Sequence, residues 1–292
     1  MGRCHALGIA LASFVVVVAL SCGGYSGEPA ASVTNDGPTP TVVRPPPVGV
    51  IAIGHSGLTG ENSDPNRPGQ DAIENSWATG TAPEIKSVYQ RLTAVRPETE
   101  GHVANYAKGG ALAADLTLQA RLALNQVPTP ALVMIQTIDN DIRCDGTDEA
   151  RIDDFGTDVA DALKVITDAS PDSRVLVVGT WWQPAQLAAV LATEPAAKAS
   201  FTGSGMCDLF NSAGDLVEES VATWTAVAEG YEAEQARVCA SVPQCRDDDG
   251  AFATFILDIA DLSSDWNHHS VRGHTRLAET IWPTVVTLLE LP

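Results

Sequence analysis

A single doubly wound α/β domain with a mainly parallel sheet is the fold class that the sequence predicts, on three observations. Short apolar or β-branched runs bounded by Gly, Pro or Asp recur along the chain, amphipathic stretches with helical spacing lie between them, and no internal repeat interrupts the alternation. The 292 residues are 45% hydrophobic and 18% charged, enough for a large buried core and too apolar for a wholly disordered chain. With 17 basic against 37 acidic side chains the net charge is −20, which argues against nucleic acid as a partner.

The amino terminus reads as an export signal over residues 1–22: Arg3 supplies positive charge and Ala6 to Leu20 is an apolar run with Ser13 as its one polar residue, too short to span a bilayer comfortably. A cleaved secretory peptide is one outcome. The other follows from Ala19-Leu20-Ser21-Cys22, which resembles a bacterial lipobox and would make Cys22 the lipidated first residue and a membrane anchor. Residues 23–47, with Pro29, Pro38, Pro40 and the run Pro45-Pro46-Pro47, form a flexible tether. The folded domain is expected over 48–292.

Strands are expected at Val48 to Ile53, Leu132 to Ile135, Val175 to Val178 and Phe252 to Ile259, with a weaker one at His102 to Tyr106. Val159, Ala162, Leu163 and Ile166 fall at i, i+3, i+4 and i+7 of one helix, and Val217, Val221, Trp224, Ala228 and Tyr231 form a similar stripe on another. The last helix carries Leu277, Ile281, Val285 and Leu288, and Pro283 should kink or restart it. Outside Cys4 and Cys22 there remain Cys144, Cys207, Cys239 and Cys245, an even number in an oxidising compartment. Four thiols permit three pairings; the short gap favours Cys239 with Cys245, leaving Cys144 for Cys207. Zinc competes, without Cys-x-x-Cys or nearby His spacing to support it.

In a doubly wound fold the ligand site lies beyond the carboxyl ends of the strands. Gly54-His55-Ser56-Gly57 follows the first strand, where a Ser can be presented to the cleft as a nucleophile. The triplet is a poor match to the nucleophile elbow of α/β hydrolases, because Leu58 stands where that motif wants Gly. Near the carboxyl terminus, Asp265 and His268 are three apart in Ser264-Asp265-Trp266-Asn267-His268-His269-Ser270. A carboxylate holding one imidazole nitrogen leaves the other to take a proton from Ser56. Alone, this segment reads more readily as a polar turn with incidental histidines, and only together with Ser56 does the catalytic reading prevail.

Two further segments complete a pattern: Asn105-Tyr106-Ala107-Lys108-Gly109-Gly110 after the second strand, and Thr137-Ile138-Asp139-Asn140-Asp141 after the third. In order and separation the four segments resemble the four blocks of the SGNH hydrolases, the GDSL-type esterases and lipases, over nearly all of 48–292. That resemblance implies a flavodoxin-like three-layer α/β/α fold and a serine esterase working through an acyl-enzyme without metal or cofactor. It assigns Ser56 as nucleophile, His268 as base and Asp265 as its orienting acid, with the backbone N–H groups of Ser56 and Gly110 and the Asn140 side chain as oxyanion donors. Three positions depart from the family pattern: His55 for Asp, Ile138 for Gly, and His269 for the Pro after the catalytic His. Changed loop geometry is the expected consequence of the first two.

His269 competes with His268 as base, and spacing from Asp265 favours His268. His102 is expected to be structural and His274 a cap-region or surface residue. The acidic stretch from Asp139 to Asp148 fails an EF-hand reading, since Arg143 and Cys144 occupy the fifth and sixth positions, and Asp247-Asp248-Asp249-Gly250 is equally incomplete. No phosphate loop or nicotinamide fingerprint is present. The expected substrate is a small-molecule, lipid or acylated-glycan ester outside the cytoplasm. A cell-surface binding lipoprotein that kept the fold without turnover is the alternative.

Overall fold

Fully buried strands need apolar side chains on both faces, and the chain supplies them at its centre. In the computed structural model, which describes residues 46–203 and 207–292, β1 (Val50–Gly54) and β3 (Leu132–Gln136) are buried along their whole length. β2 (Val103–Asn105) lies outside β1, and β4 (Arg174–Val178) and β5 (Cys245–Asp247) lie beyond β3, giving the order β2-β1-β3-β4-β5 with every pairing parallel. The amino-terminal signal with Cys4 and Cys22, and the tether as far as Pro45, lie outside the described residues.

Seven helices are assigned among the described residues: α1 (Val88–Val95), α2 (Leu116–Gln126), α3 (Asp148–Ala169), α4 (Pro184–Leu191), α5 (Pro195–Ser200), α6 (Glu218–Ala240) and α7 (Val271–Leu288). They cover both faces of the sheet, with α2, α3 and α6 side by side and α1 against α7, as a three-layer α/β/α fold requires. The expected stripes are buried, Val159, Ala162, Leu163 and Ile166 on α3 and Val221, Trp224, Ala228 and Tyr231 on α6, except that Val217 stands just before α6 as its N-cap and is half-buried. No helix among the described residues is long and apolar enough to cross a membrane.

Three expectations are corrected. The run Phe252 to Ile259 is not a strand: it holds two 3-10 turns, Phe252–Thr254 and Ile259–Asp261. β5 instead comes from the polar tripeptide Cys245–Asp247, which takes the free edge of β4 in the register Val175↔Cys245 to Val177↔Asp247. Phe252 and Phe255 turn inward beyond the sheet, edge-on to Trp77 at 5.2 Å and to Trp181 at 6.5 Å, so their apolarity serves the core without a ladder. Second, the helix does not restart at Pro283: α7 continues through it as one element. Pro283 and Glu279, whose carbonyl loses its partner, both lie on the exposed side, where water can satisfy it. Third, His274 is 1% exposed. It belongs to the stripe Gly273, His274, Leu277, Ala278, Ile281 and Val285 that α7 buries.

The chain joins Cys144 to Cys207 across 63 residues and Cys239 to Cys245 across 6, with Cα separations of 5.4 and 5.2 Å. The second ties the end of α6 to β5.

Candidate active site

The sheet order places the topological switch point between β1 and β3, whose chains leave the sheet on opposite sides of a crevice. Gly54 and Gln136 are paired at the ends of these two strands, so the loops carrying Ser56 and Asn140 start level with one another.

Gly54 has φ +135°, and a Cβ there would lie 1.7 Å from the Gln136 carbonyl oxygen, so only glycine lets the chain turn this close to β3. Gln119 of α2 pairs with both backbone groups of Gly54, accepting from its N–H at 2.6 Å and donating to its carbonyl at 3.0 Å. The next residues form a 3-10 turn, Ser56–Leu58. Trp77 Nε1 donates to the Gly57 carbonyl at 3.0 Å, and Asn105 Nδ2 to that of Leu58 at 2.9 Å. The Ser56 turn is therefore held by side chains from α2, β2 and the loop before α1.

At the other end of the chain, Asp265 and His268 share a tight turn. Asp265 Oδ1 accepts from the backbone N–H of Asn267 at 3.1 Å and of His268 at 3.0 Å, and from Ser263 Oγ at 2.7 Å, while Trp266 takes φ +61° between them. This accounts for the spacing of three: one carboxylate oxygen closes the turn, leaving the other to meet the ring of the residue that the turn brings back. His268 Nδ1 lies 2.6 Å from Asp265 Oδ2, and His268 Nε2 lies 2.8 Å from Ser56 Oγ. Gly273 completes the support, since a Cβ there would meet the Asp261 carbonyl oxygen at 2.2 Å and His269 Nδ1 at 2.7 Å.

Electrostatics follow from these contacts. Burial alone would raise the Asp265 pKa, but hydrogen bonds from the His268 ring, the His268 backbone and Ser263 outweigh it and hold the carboxyl well below its usual range. Burial alone would lower His268; the Asp265 hydrogen bond and charge, with the Glu61 and Asp139 charges, reverse that and raise it. Glu61 Oε2 stands 3.5 Å from His268 Nε2, the nitrogen that faces Ser56.

Asn140 Nδ2 donates one hydrogen to the Ala111 carbonyl at 3.0 Å, which orients the amide and leaves its second N–H for another acceptor. The same contact holds the turn 108–111, whose Lys108 N–H is bonded to the Gly54 carbonyl at 3.0 Å. Gly110 stands in that turn, exposed, with φ +75°. Asn140 lines a narrow chamber with Ser56 and His268; Gly110 is not among the chamber's lining residues.

The departures from the family pattern acquire physical content here. Ile138 is fully buried at φ +92°, a region that glycine enters freely and a β-branched residue does not, at a cost on the order of 1–3 kcal/mol. Ile138 thus takes a backbone conformation that glycine would adopt without strain. His55 caps the Ser56 turn: its Nδ1 accepts from the Gly57 N–H at 3.0 Å, so a neutral ring carries its proton on Nε2, 3.5 Å from Asp139 Oδ2. Burial pushes the His55 pKa down despite that carboxylate, and burial pushes Asp139 up. His269 is buried, its ring centroid 4.0 Å from that of Trp181. The His102 side chain is exposed, and its carbonyl accepts from Val50 N–H at 2.9 Å.

The acidic stretch after β3 is tied into the backbone. Asp141 accepts from Ala113 N–H at 3.1 Å, and Asp148 accepts from the N–H groups of Arg143 and Cys144, each at 2.8 Å. Burial raises Asp141 to about 6.

Sequence reasoning missed several residues that build the site. Asn62, at φ +58°, donates to Asp265 Oδ2, the oxygen that also meets His268. Glu61, Gln119, Trp77 and the pair Trp181-Trp182 complete the surroundings. Trp181 and Trp182 lie just past the carboxyl end of β4, and applying the strand-end rule there would have found them. Nothing local marks Asn62, whose contact spans 203 residues.

No protein-family model matches the chain, and no curated protein matches it. Solved structures do. An extracellular lipase from Streptomyces rimosus is 18% identical, with a TM-score of 0.51 over 82% of this chain and 99% of its own. A lipase from a goat rumen metagenome is 15% identical, with a TM-score of 0.50 over 80% and 95%. A Parabacteroides merdae protein assigned as a GDSL-like lipase is 12% identical, with a TM-score of 0.52 over 83% and 97%. At these identities the likeness is one of fold: this chain has the three-layer α/β/α fold of GDSL-type lipases and esterases.

Proposed function

We propose that the chain is an exported serine esterase that hydrolyses carboxylic esters through an acyl-enzyme. One observation carries this reading: Ser56 Oγ, the His268 ring and Asp265 lie in hydrogen-bond sequence at 2.8 and 2.6 Å, at the crevice where such a fold binds its ligands. Ser56 Oγ attacks the ester carbonyl while its proton passes to His268 Nε2, and the ionised Asp265 stabilises the imidazolium that forms. The alkoxide of the tetrahedral intermediate is met by the Ser56 N–H, the Gly110 N–H and the free N–H of Asn140. Collapse expels the alcohol, protonated by His268. Water then attacks the acyl-enzyme, giving its proton to His268, and release of the carboxylic acid restores Ser56.

The apolar run Ala6 to Leu20 and the even cysteine count support export, and Cys22 is the proposed site of lipid attachment, with residues 23–47 as the tether. The test is labelling with a serine-reactive phosphonate followed by peptide mass spectrometry. Modification at Ser56, lost in His268→Ala, is the expected result. An unlabelled, folded protein would overturn the esterase reading in favour of a binding protein on the same fold.

A further inference from the structure

The chamber beside Ser56 is small and hard-walled. Its volume is about 50 Å³, room for about four water-sized groups at roughly 10–15 Å³ each. Trp181, Trp182, Leu187 and Trp224 form its sides, none more than 5% exposed. The Trp182 and Trp224 rings pack against each other at 4.7 Å and Trp181 is braced by Phe255, so widening the chamber means displacing a buried tryptophan.

A second observation is independent of volume. The chamber also includes His269 and His274, 2% and 1% exposed, with ring centroids 5.6 Å apart. His269 Nε2, His274 Nδ1 and Trp224 Nε1 are buried without a hydrogen-bond partner in the protein. Burial lowers both imidazoles, His274 to about 3, so each ring is neutral. These nitrogens are already shut off from water, so a tail long enough to reach them would have to part the packing around polar groups that hydrocarbon cannot satisfy.

We propose that this chamber is the acyl site and that it restricts the enzyme to short acyl groups, acetyl to butyryl, excluding long-chain lipid esters. The inference rests on the serine-esterase reading and adds its substrate class. The acyl group stays on Ser56 through both halves of the reaction, whereas the alcohol must leave before water attacks. The closed side therefore suits the acyl group and the open side the alcohol. A short group fits between the tryptophan walls without displacing the buried rings.

The full chain assayed on para-nitrophenyl acetate, butyrate, octanoate and laurate tests this at constant alcohol. The expected kcat/KM for octanoate is lower than for the better of acetate and butyrate by about ten-fold or more, with laurate lower still. Octanoate or laurate hydrolysed as well as butyrate would overturn the proposal. Leu187→Ala, with Leu187→Val as the milder variant and unfolding followed in parallel, should raise the octanoate-to-butyrate ratio several-fold by enlarging the chamber. An unchanged ratio in a folded variant would also overturn it. Failure to hydrolyse any of the four, together with no phosphonate label at Ser56, would instead overturn the esterase reading beneath it.

Discussion

Replacing Asn140 by alanine removes two hydrogen bonds of different kinds, and the difference makes the variant informative. One is present at rest, from Nδ2 to the Ala111 carbonyl at 3.0 Å. Ala111 is buried, so leaving its carbonyl unpaired should cost about 1–3 kcal/mol of stability, a few degrees in Tm. The other forms only when the substrate oxygen becomes an alkoxide, and losing one such donor typically lowers kcat by roughly 10²–10³, about 2.7–4 kcal/mol. KM should move little, because the ground-state carbonyl gains little from that donor. The assay is steady-state hydrolysis of para-nitrophenyl acetate by the purified variant, with thermal unfolding measured on the same preparation. Asn140→Asp serves as a shape control, since it keeps the outline of the side chain without a donor; it should be at least as impaired. A folded Asn140→Ala protein with kcat within about three-fold of the parent would refute the oxyanion role. It would also make the strained Ile138 backbone a feature of folding alone.

Ser56→Ala should abolish ester hydrolysis while denaturant unfolding stays near that of the parent, because the hydroxyl it removes is small. His268→Ala should lose far more kcat than His269→Ala, whereas unfolding should show the larger stability loss in His269→Ala, whose ring is 2% exposed and packed against Trp181. Glu61→Gln should shift the acid limb of the kcat/KM pH profile downward: a base works when neutral, and the Glu61 charge, after that of Asp265, helps raise His268. Removing the Cys144–Cys207 bond by paired serine substitution should cost about 2 kcal/mol more, in denaturant unfolding, than removing Cys239–Cys245, from the ratio of loop lengths in the chain-entropy model.

Chain-local pattern makes much of this molecule legible. The runs at Val50, Leu132 and Val175 announce buried parallel strands because such strands must be apolar on both faces, and the stripe on α3 announces its buried side because a helix repeats every 3.6 residues. Ser56, Asn140, Asp265 and His268 are legible because each sits in a short segment just past an element, where chemistry and spacing can be read together. Edge strand β5 is not, because a three-residue edge strand has little burial to record in its composition, whereas the apolar run Phe252 to Ile259 does bury its aromatics and yet makes no ladder. His274 misleads for a related reason: its i+3 and i+7 partners Leu277 and Ile281 mark the buried face of α7, but a histidine is read as polar ahead of its position in the stripe.

Sequence alone determined the alternation of elements, the residue types able to do acyl-transfer chemistry and the spacing that turns His268 back onto Asp265, because all of these depend on neighbours along the chain. Tertiary structure decided what depends on distant segments meeting. Sheet register brings Gly54 level with Gln136; a sequence separation of 212 is closed so that His268 reaches Ser56. Asn62 is delivered to Asp265, and His269 is turned toward Trp181, leaving His268 at the nucleophile. Such pairings carry no periodic signature, since a side chain's partner across the fold is set by how strands, turns and buried rings pack together.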